Sequence, residues 1–240
     1  MKKNILKVIA IFIVGMVGGI FADQIFWPYL IERPLFHQYR LEQSPIYVTE
    51  NKQVTTYIQE NVALRDAVEK VQKVVVGVKT KTAAGKILSG SGLVVTTDGF
   101  IVTLADLVPQ GSVFSFYADE KWPAYQILKR DFTNNLALLK VSDGGLKTAG
   151  FADLEKLRPG ERVFLIGFDF STTTPKIIVN EGIVKTFDEN SIQTNIVEKN
   201  SLAGSPLFNI EGNVVGLCTA DGEGRIWAIP ATQIRALTGF

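Results

Sequence analysis

Apolar and polar positions follow three different patterns along this 240-residue chain. From Val8 to Ala22, "VIAIFIVGMVGGIFA", no charge interrupts the apolar run. Counted from Ile5, it approaches the ~20 residues that cross a hydrocarbon core as a helix. Between Asn61 and Val71 the spacing changes. Leu64, Ala67, Val68 and Val71 recur at intervals of three and four, which predicts an amphipathic helix with Asn61 as its N-cap. At Val74 the period turns strand-like. Strands are expected over 74–78, 86–96, 100–103, 113–117, 125–129, 136–141, 163–167, 176–186, 192–196, 206–210, 214–219 and 226–229. Turn signals separate them, among them Thr97-Asp98-Gly99, Pro159-Gly160 and Glu211-Gly212-Asn213. Many short strands at this spacing predict a barrel or sandwich rather than βαβ units. "PATQIRALTGF" closes the chain as a short helix, with Pro230 near its first turn and Ile234 and Leu237 facing inward.

Composition mostly excludes. The net charge is +1 and the basic residues are scattered, so nothing follows a phosphate backbone and no nucleic-acid partner is expected. The single cysteine, Cys218, allows no intrachain disulfide and, inside an apolar run, reads as a core residue. With one histidine besides, and no ligand-spaced cluster, no metal is expected. No cofactor is expected either: "SGSG" (89–92) lacks the lysine and following helix of a phosphate loop and reads as a strand bend. His37, amid Phe36 and Tyr39, reads as a packing residue.

The N-terminus adds a location. Lys2, Lys3 and Lys7 precede the apolar run and Asp23 closes it, which puts the short end in the cytoplasm and the rest outside the cytoplasmic membrane. Trp27 and Tyr29 follow at the depth of interfacial aromatics. A cleaved signal peptide is the competing reading; Ile20, two before Ala22, is not the small residue a cleavage site wants. The expected organisation is a transmembrane anchor over 1–30, a connecting arm over 31–60 and one β domain over 61–240.

Several blocks in this β-rich part, in order, resemble the Deg/HtrA branch of the trypsin-like serine proteases. "VALRDAVEKVQKVVVGV" is similar to that family's opening helix and first strand. "SGSGLVVTTDGFIVTLADLV" (89–108) is similar to the hairpin leading to its catalytic histidine. "DFTNNLALLKV" (131–141) resembles the strand entry that carries its aspartate. "LRPGERVFLIGF" (157–168) and "NEGIVKT" (180–186) resemble strands of its second barrel. "NSLAGSPLFNIEGNVVGL" (200–217) stands where the family has its nucleophile loop, and "IWAIPATQI" (226–234) resembles its last strand and helix. The resemblance implies an all-β fold of two trypsin-like antiparallel barrels with a cleft between them.

Proteolysis on this fold needs a serine nucleophile, an imidazole base and a carboxylate that orients it. By the same resemblance, the histidine position holds Asp106, the aspartate position Asn135 and the serine position Ala203. The oxyanion loop is altered as well: Ser201 stands for a glycine two residues before the nucleophile, Leu202 follows it, and Ser205 replaces a second glycine. Asp106 and Asn135 are placed to hydrogen-bond each other. A Ser–Lys dyad from Ser201 or Ser205 with Lys185 or Lys199 is the alternative chemistry, and it needs a desolvated lysine within reach. Many family members carry a PDZ domain; this chain stops at Phe240, and none is expected in it.

The expected protein is thus a membrane-anchored protease homologue without a working triad. It would bind extended or unfolded polypeptide, or a partner subunit, as an added strand. Family members are often trimers, and the arm at 46–60 is the candidate oligomer contact. The alternatives are a serine-type endopeptidase of protein quality control working by a non-standard site, and a purely structural subunit of a complex with an active homologue.

Overall fold

The computed structural model describes residues 2–26, 60–117, 121–122, 125–142, 145–172, 174–198 and 202–239. The chain divides into two units, Met1–Tyr57 and Ile58–Phe240. In the first, Lys2–Phe21 form helix α1, which a wider turn continues to Phe26. The span Lys3–Gln24 is long and apolar enough to cross a membrane, and none of its side chains is buried against protein. His37 and the arm segment 46–59 lie outside the described residues.

The second unit opens with helix α2, Glu60–Val71, which presents Ala67 and Val71 to the core. Asn61, expected as the N-cap, lies inside this helix. Seven antiparallel strands follow: β1 (Val75–Lys81), β2 (Ile87–Val94), β3 (Phe100–Leu104), β4 (Val113–Tyr117), β5 (Lys121–Trp122), β6 (Tyr125–Asp131) and β7 (Leu136–Val141). Their order in the sheet is β5-β4-β1-β2-β3-β7-β6. Six more are β8 (Arg162–Asp169), β9 (Lys176–Phe187), β10 (Ile192–Val197), β11 (Pro206–Asn209), β12 (Val214–Ala220) and β13 (Arg225–Pro230). These close into a barrel in the order β10-β13-β12-β11-β8-β9. Helix α3 (Ala231–Thr238) ends the fold, with Ile234 and Leu237 buried as the spacing implies.

The fold is the expected trypsin-like pair with one difference. Among the described residues the second barrel closes, and the first is a half-barrel sheet with β5 and β6 at its edges. Strand β5 (Lys121–Trp122) is not among the strands expected from the sequence. Each half has its own core. Val76, Ile101, Phe116 and Leu139 pack inside the first sheet, and Leu165, Ile192, Leu207 and Cys218 inside the barrel. A third cluster joins them: Leu93, Val102 and Leu138 meet Phe164, Ile166 and Phe208, with α2 and α3 covering the seam through Val71 and Ile234. Phe164 and Phe208 stack at 5.4 Å. Burial on this seam fixes the two halves against each other.

Candidate functional site

Asp106 sits in a single 3-10 turn, Ala105–Leu107, that follows β3 directly. Ala105 and Leu107 point into the core, so Asp106 between them is turned outward. Asn135 ends the tight turn between β6 and β7 in a left-handed conformation, φ 53°, which asparagine tolerates better than most residues. Asp131 organises that turn. Its Oδ1 accepts from the Thr133 and Asn134 N–H groups and its Oδ2 from the Asn134 amide. These bonds, the Asn134 side chain first, hold the Asp131 carboxyl below its ordinary value of 3.8.

The structure brings Asp106 and Asn135 together through two hydrogen bonds. Asn135 Oδ1 accepts from the Asp106 N–H at 3.0 Å, and Asn135 Nδ2 donates to Asp106 Oδ2 at 2.9 Å. In a working triad an imidazole N–H donates to a carboxylate across the corresponding gap. Here the donor is an amide on β7's side and the acceptor a carboxylate on β3's side. The pair contains no imidazole.

Ala203 lies in the loop between β10 and β11. Its methyl group packs against the cluster at the seam, and its carbonyl accepts from the Ser91 N–H at 2.8 Å. Gly204, at φ +77°, turns the chain, and a β-carbon there would strike the Ser91 carbonyl. Its N–H donates to the Cys218 carbonyl, while the Cys218 N–H donates to that of Ser205, each at 2.7 Å. Leu202 is fully buried in the barrel core. The Leu107 side chain and the Ala203 carbonyl both crowd Gly90, so the Asp106 turn and the Ala203 loop meet over one residue of β2. That close approach, rather than a bend, is what requires Gly90 within a continuous strand.

Ser91 and Thr103 are site residues that the sequence reading passed over. Ser91 Oγ accepts from the Phe168 N–H at 2.9 Å, and Thr103 Oγ1 donates to the Ser91 carbonyl at 2.6 Å. Ser91 thereby ties β2, β3, β8 and the Ala203 loop together. Its placement between Gly90 and Gly92 was the available signal, since small neighbours mark a crowded spot.

The remaining candidates separate. Ser201 and Lys199 lie outside the described residues. Ser205 is fully buried, its Oγ lying over Gly167 where a β-carbon would otherwise sit. Lys185 is exposed on β9 beside an open groove lined by Gln193, Arg225 and Trp227. A buried serine and a solvated lysine on the outside of the barrel do not make a Ser–Lys dyad. Cys218 is buried in the barrel, and burial pushes its thiol far above the usual range.

Residues 90–217 match the trypsin-like peptidase domain. The chain belongs to the trypsin-like peptidase family. Within that family it is a Deg/HtrA-type member. It is 33% identical over 156 residues to a DegP-like periplasmic serine endoprotease of Rhizobium meliloti, a match covering 60% of this chain and 31% of that protein. It is 34% identical over 162 residues to the serine protease HTRA1 of Xenopus laevis, covering 61% of this chain and 35% of the other. The chain thus spans about a third of the length of the curated relatives it matches. Among solved structures, the HtrA-type protease AlgW with a tripeptide shares the fold at a TM-score of 0.66 and 21% identity, over 73% of this chain and 62% of that one.

Proposed function

We propose that this protein is a membrane-anchored, catalytically inactive Deg/HtrA-type homologue that binds extended polypeptide outside the cytoplasmic membrane. One observation carries the reading. At the β3–β7 ends stands an Asp106–Asn135 pair joined by two hydrogen bonds, and Ala203 puts a methyl group against the seam cluster. A triad that loses its serine or histidine loses about 10⁶ in turnover, as much as losing the whole constellation. All three triad positions differ here.

The binding half of the function needs no triad. Strand β12 pairs with β13 as far as Ala220 but with β11 only to Leu217. Among the described residues, Thr219 and Ala220 pair only with β13, and an extended segment joining there through main-chain hydrogen bonds is the binding mode of this proposal. The anchor role rests on α1, whose apolar surface finds a favourable environment only in lipid or against another apolar face.

The test is to mix the full chain in detergent with fluorescently labelled unfolded casein and separate them on a sizing column. Co-elution of intact label with the protein supports the reading. Release of small labelled fragments would show that a different catalytic site operates. Intact label running alone removes the binding role and leaves a structural subunit.

A further inference from the structure

We infer that the groove on the outer face of the closed barrel binds a neutral oligosaccharide, with the Trp227 indole as its platform. The groove offers about 570 Å³, within the ordinary range of a small-ligand site, and Asp106, Asn135 and Ala203 do not line it. The inference is therefore independent of the proposed polypeptide binding.

Two strands and two turns build the groove. Gln193 on β10 stands opposite Trp227 on β13, and both are exposed, while their neighbours Ile192 and Ala228 are buried. The pair thus lies on the outside of the barrel. Thr194 and Ile226 add to the floor, tied by the bond from Thr194 Oγ1 to the Ile226 carbonyl at 2.8 Å. At one end is the β9–β10 turn, where Asp188 Oδ1 accepts from the Asn190 and Ser191 N–H groups, each at 2.8 Å. At the other is the β12–β13 turn, where Asp221 Oδ1 accepts from the N–H groups of Glu223 at 2.9 Å and Arg225 at 3.0 Å. The lining residues of both ends are therefore held in place by their own turns.

Three features choose the occupant. The first is the main chain. Strand β10 pairs with β9 and β13, and β13 with β10 and β12, so both floor strands already have a neighbour on each side. An extended polypeptide has no strand edge to join here, and its own main-chain groups would go without partners. The second is charge. Arg225 pairs with Asp221 at 2.7 Å and with Glu223 at 3.1 Å, and with Lys185 included the two positive and two negative charges cancel. Nothing there favours an ionic ligand. The third is the lining itself. Trp227, 36% exposed, sets an aromatic surface beside the carboxamides of Asn190 and Gln193, the Ser191 hydroxyl and the Asp221–Arg225 pair. A pyranose ring has the matching character. The C–H groups of one face suit an electron-rich indole, and its hydroxyls, each donor and acceptor, suit side chains of both kinds. Arg225 lies opposite Val197, so the two ends are about six strand residues or roughly 20 Å apart, room for several linked rings.

The test titrates the full chain, in a detergent without a sugar headgroup, with cellotetraose, maltotetraose and tetra-N-acetylchitotetraose, and reads binding by calorimetry. At least one should bind, with an affinity that added salt leaves unchanged because no charge is neutralised. Trp227→Ala should weaken it about tenfold, the loss of one stacked aromatic face. Gln193→Ala should weaken it about fivefold, the loss of one hydrogen bond. Both side chains are exposed, so both variants should melt with the unaltered protein, and the second serves if the first misfolds. Binding of none of the three sugars overturns the inference. So does sugar binding that neither substitution weakens, and so does binding of a polyglutamate peptide that Trp227→Ala and added salt both abolish, which would make the groove a site for acidic polypeptide. None of these results bears on casein binding, which is measured separately.

Discussion

In the proposed reading Ala203 puts a methyl group at the position of the family's serine, and the backbone around it is closely bonded. The Ala203 carbonyl is bonded to Ser91, Gly204 to Cys218, and Asn135 to Asp106. Restoring one atom does not restore a reaction. Ala203→Ser should remain unlabelled by a fluorophosphonate probe and leave casein intact, because no imidazole stands at Asp106 to activate it. Asn135→Asp is the opposite experiment. It removes the Nδ2 donor and sets two carboxylates against each other, which should destabilise the fold by roughly 1 kcal/mol at neutral pH. Urea midpoints read the effect, and it should shrink in acid, where the two carboxyls share a proton.

At the scale of elements, the loop from Leu202 to Pro206 is locked from both ends. Leu202 is driven into the barrel core, and Gly204 occupies a left-handed conformation against the Ser91 carbonyl. Gly204→Ala should destabilise by roughly 2–3 kcal/mol, from backbone strain together with the collision. Leu202→Ala leaves a cavity and should cost about 2–5 kcal/mol. Chemical denaturation measures both, and a loss near zero for either would mean that the loop is free of the core. The β6–β7 turn depends likewise on Asp131, through bonds made to its ionised form.

Across the whole molecule, surface carboxylates set the acid limit. Asp98 is held below its ordinary value by Lys140, Asp131 by Asn134, Asp153 by Lys156, Asp169 by Ser171 and Asp221 by Arg225. A group whose folded value is depressed stabilises the fold above its unfolded value and loses that contribution as pH falls through the folded one. Urea midpoints should therefore hold steady near neutrality and drop below about pH 4, the ordinary carboxylate range. Each group is solvated, so each share is small and shrinks with salt. The proposed anchor makes a separate prediction for the same whole chain. It should stay with membranes through alkaline carbonate extraction, and a chain lacking residues 1–26 should be released.

Periodicity finds the helix ending at Val71, twelve of the thirteen strands among the described residues and the closing helix, because each buries one face against a core and the alternation records it. The resemblance added the order of the barrels and the three altered positions. What the pattern left out depends on residues distant in sequence. Asn61 reads as a cap because a helix start is a local guess, and the helix includes it. Lys185 and Ser205, both plausible as reactive groups in one dimension, fall on the solvated outside of the barrel and in its buried wall. Ser91 and Gly90 gain their importance only when the Ala203 loop folds onto β2. Composition and spacing decide which residue types are present and which faces are apolar, since those depend on neighbours a few positions away. Whether Asp106 meets Asn135 depends on bringing together two turns 29 positions apart, and the antiparallel pairing of β3 with β7, which sets Leu104 opposite Leu136, accomplishes that.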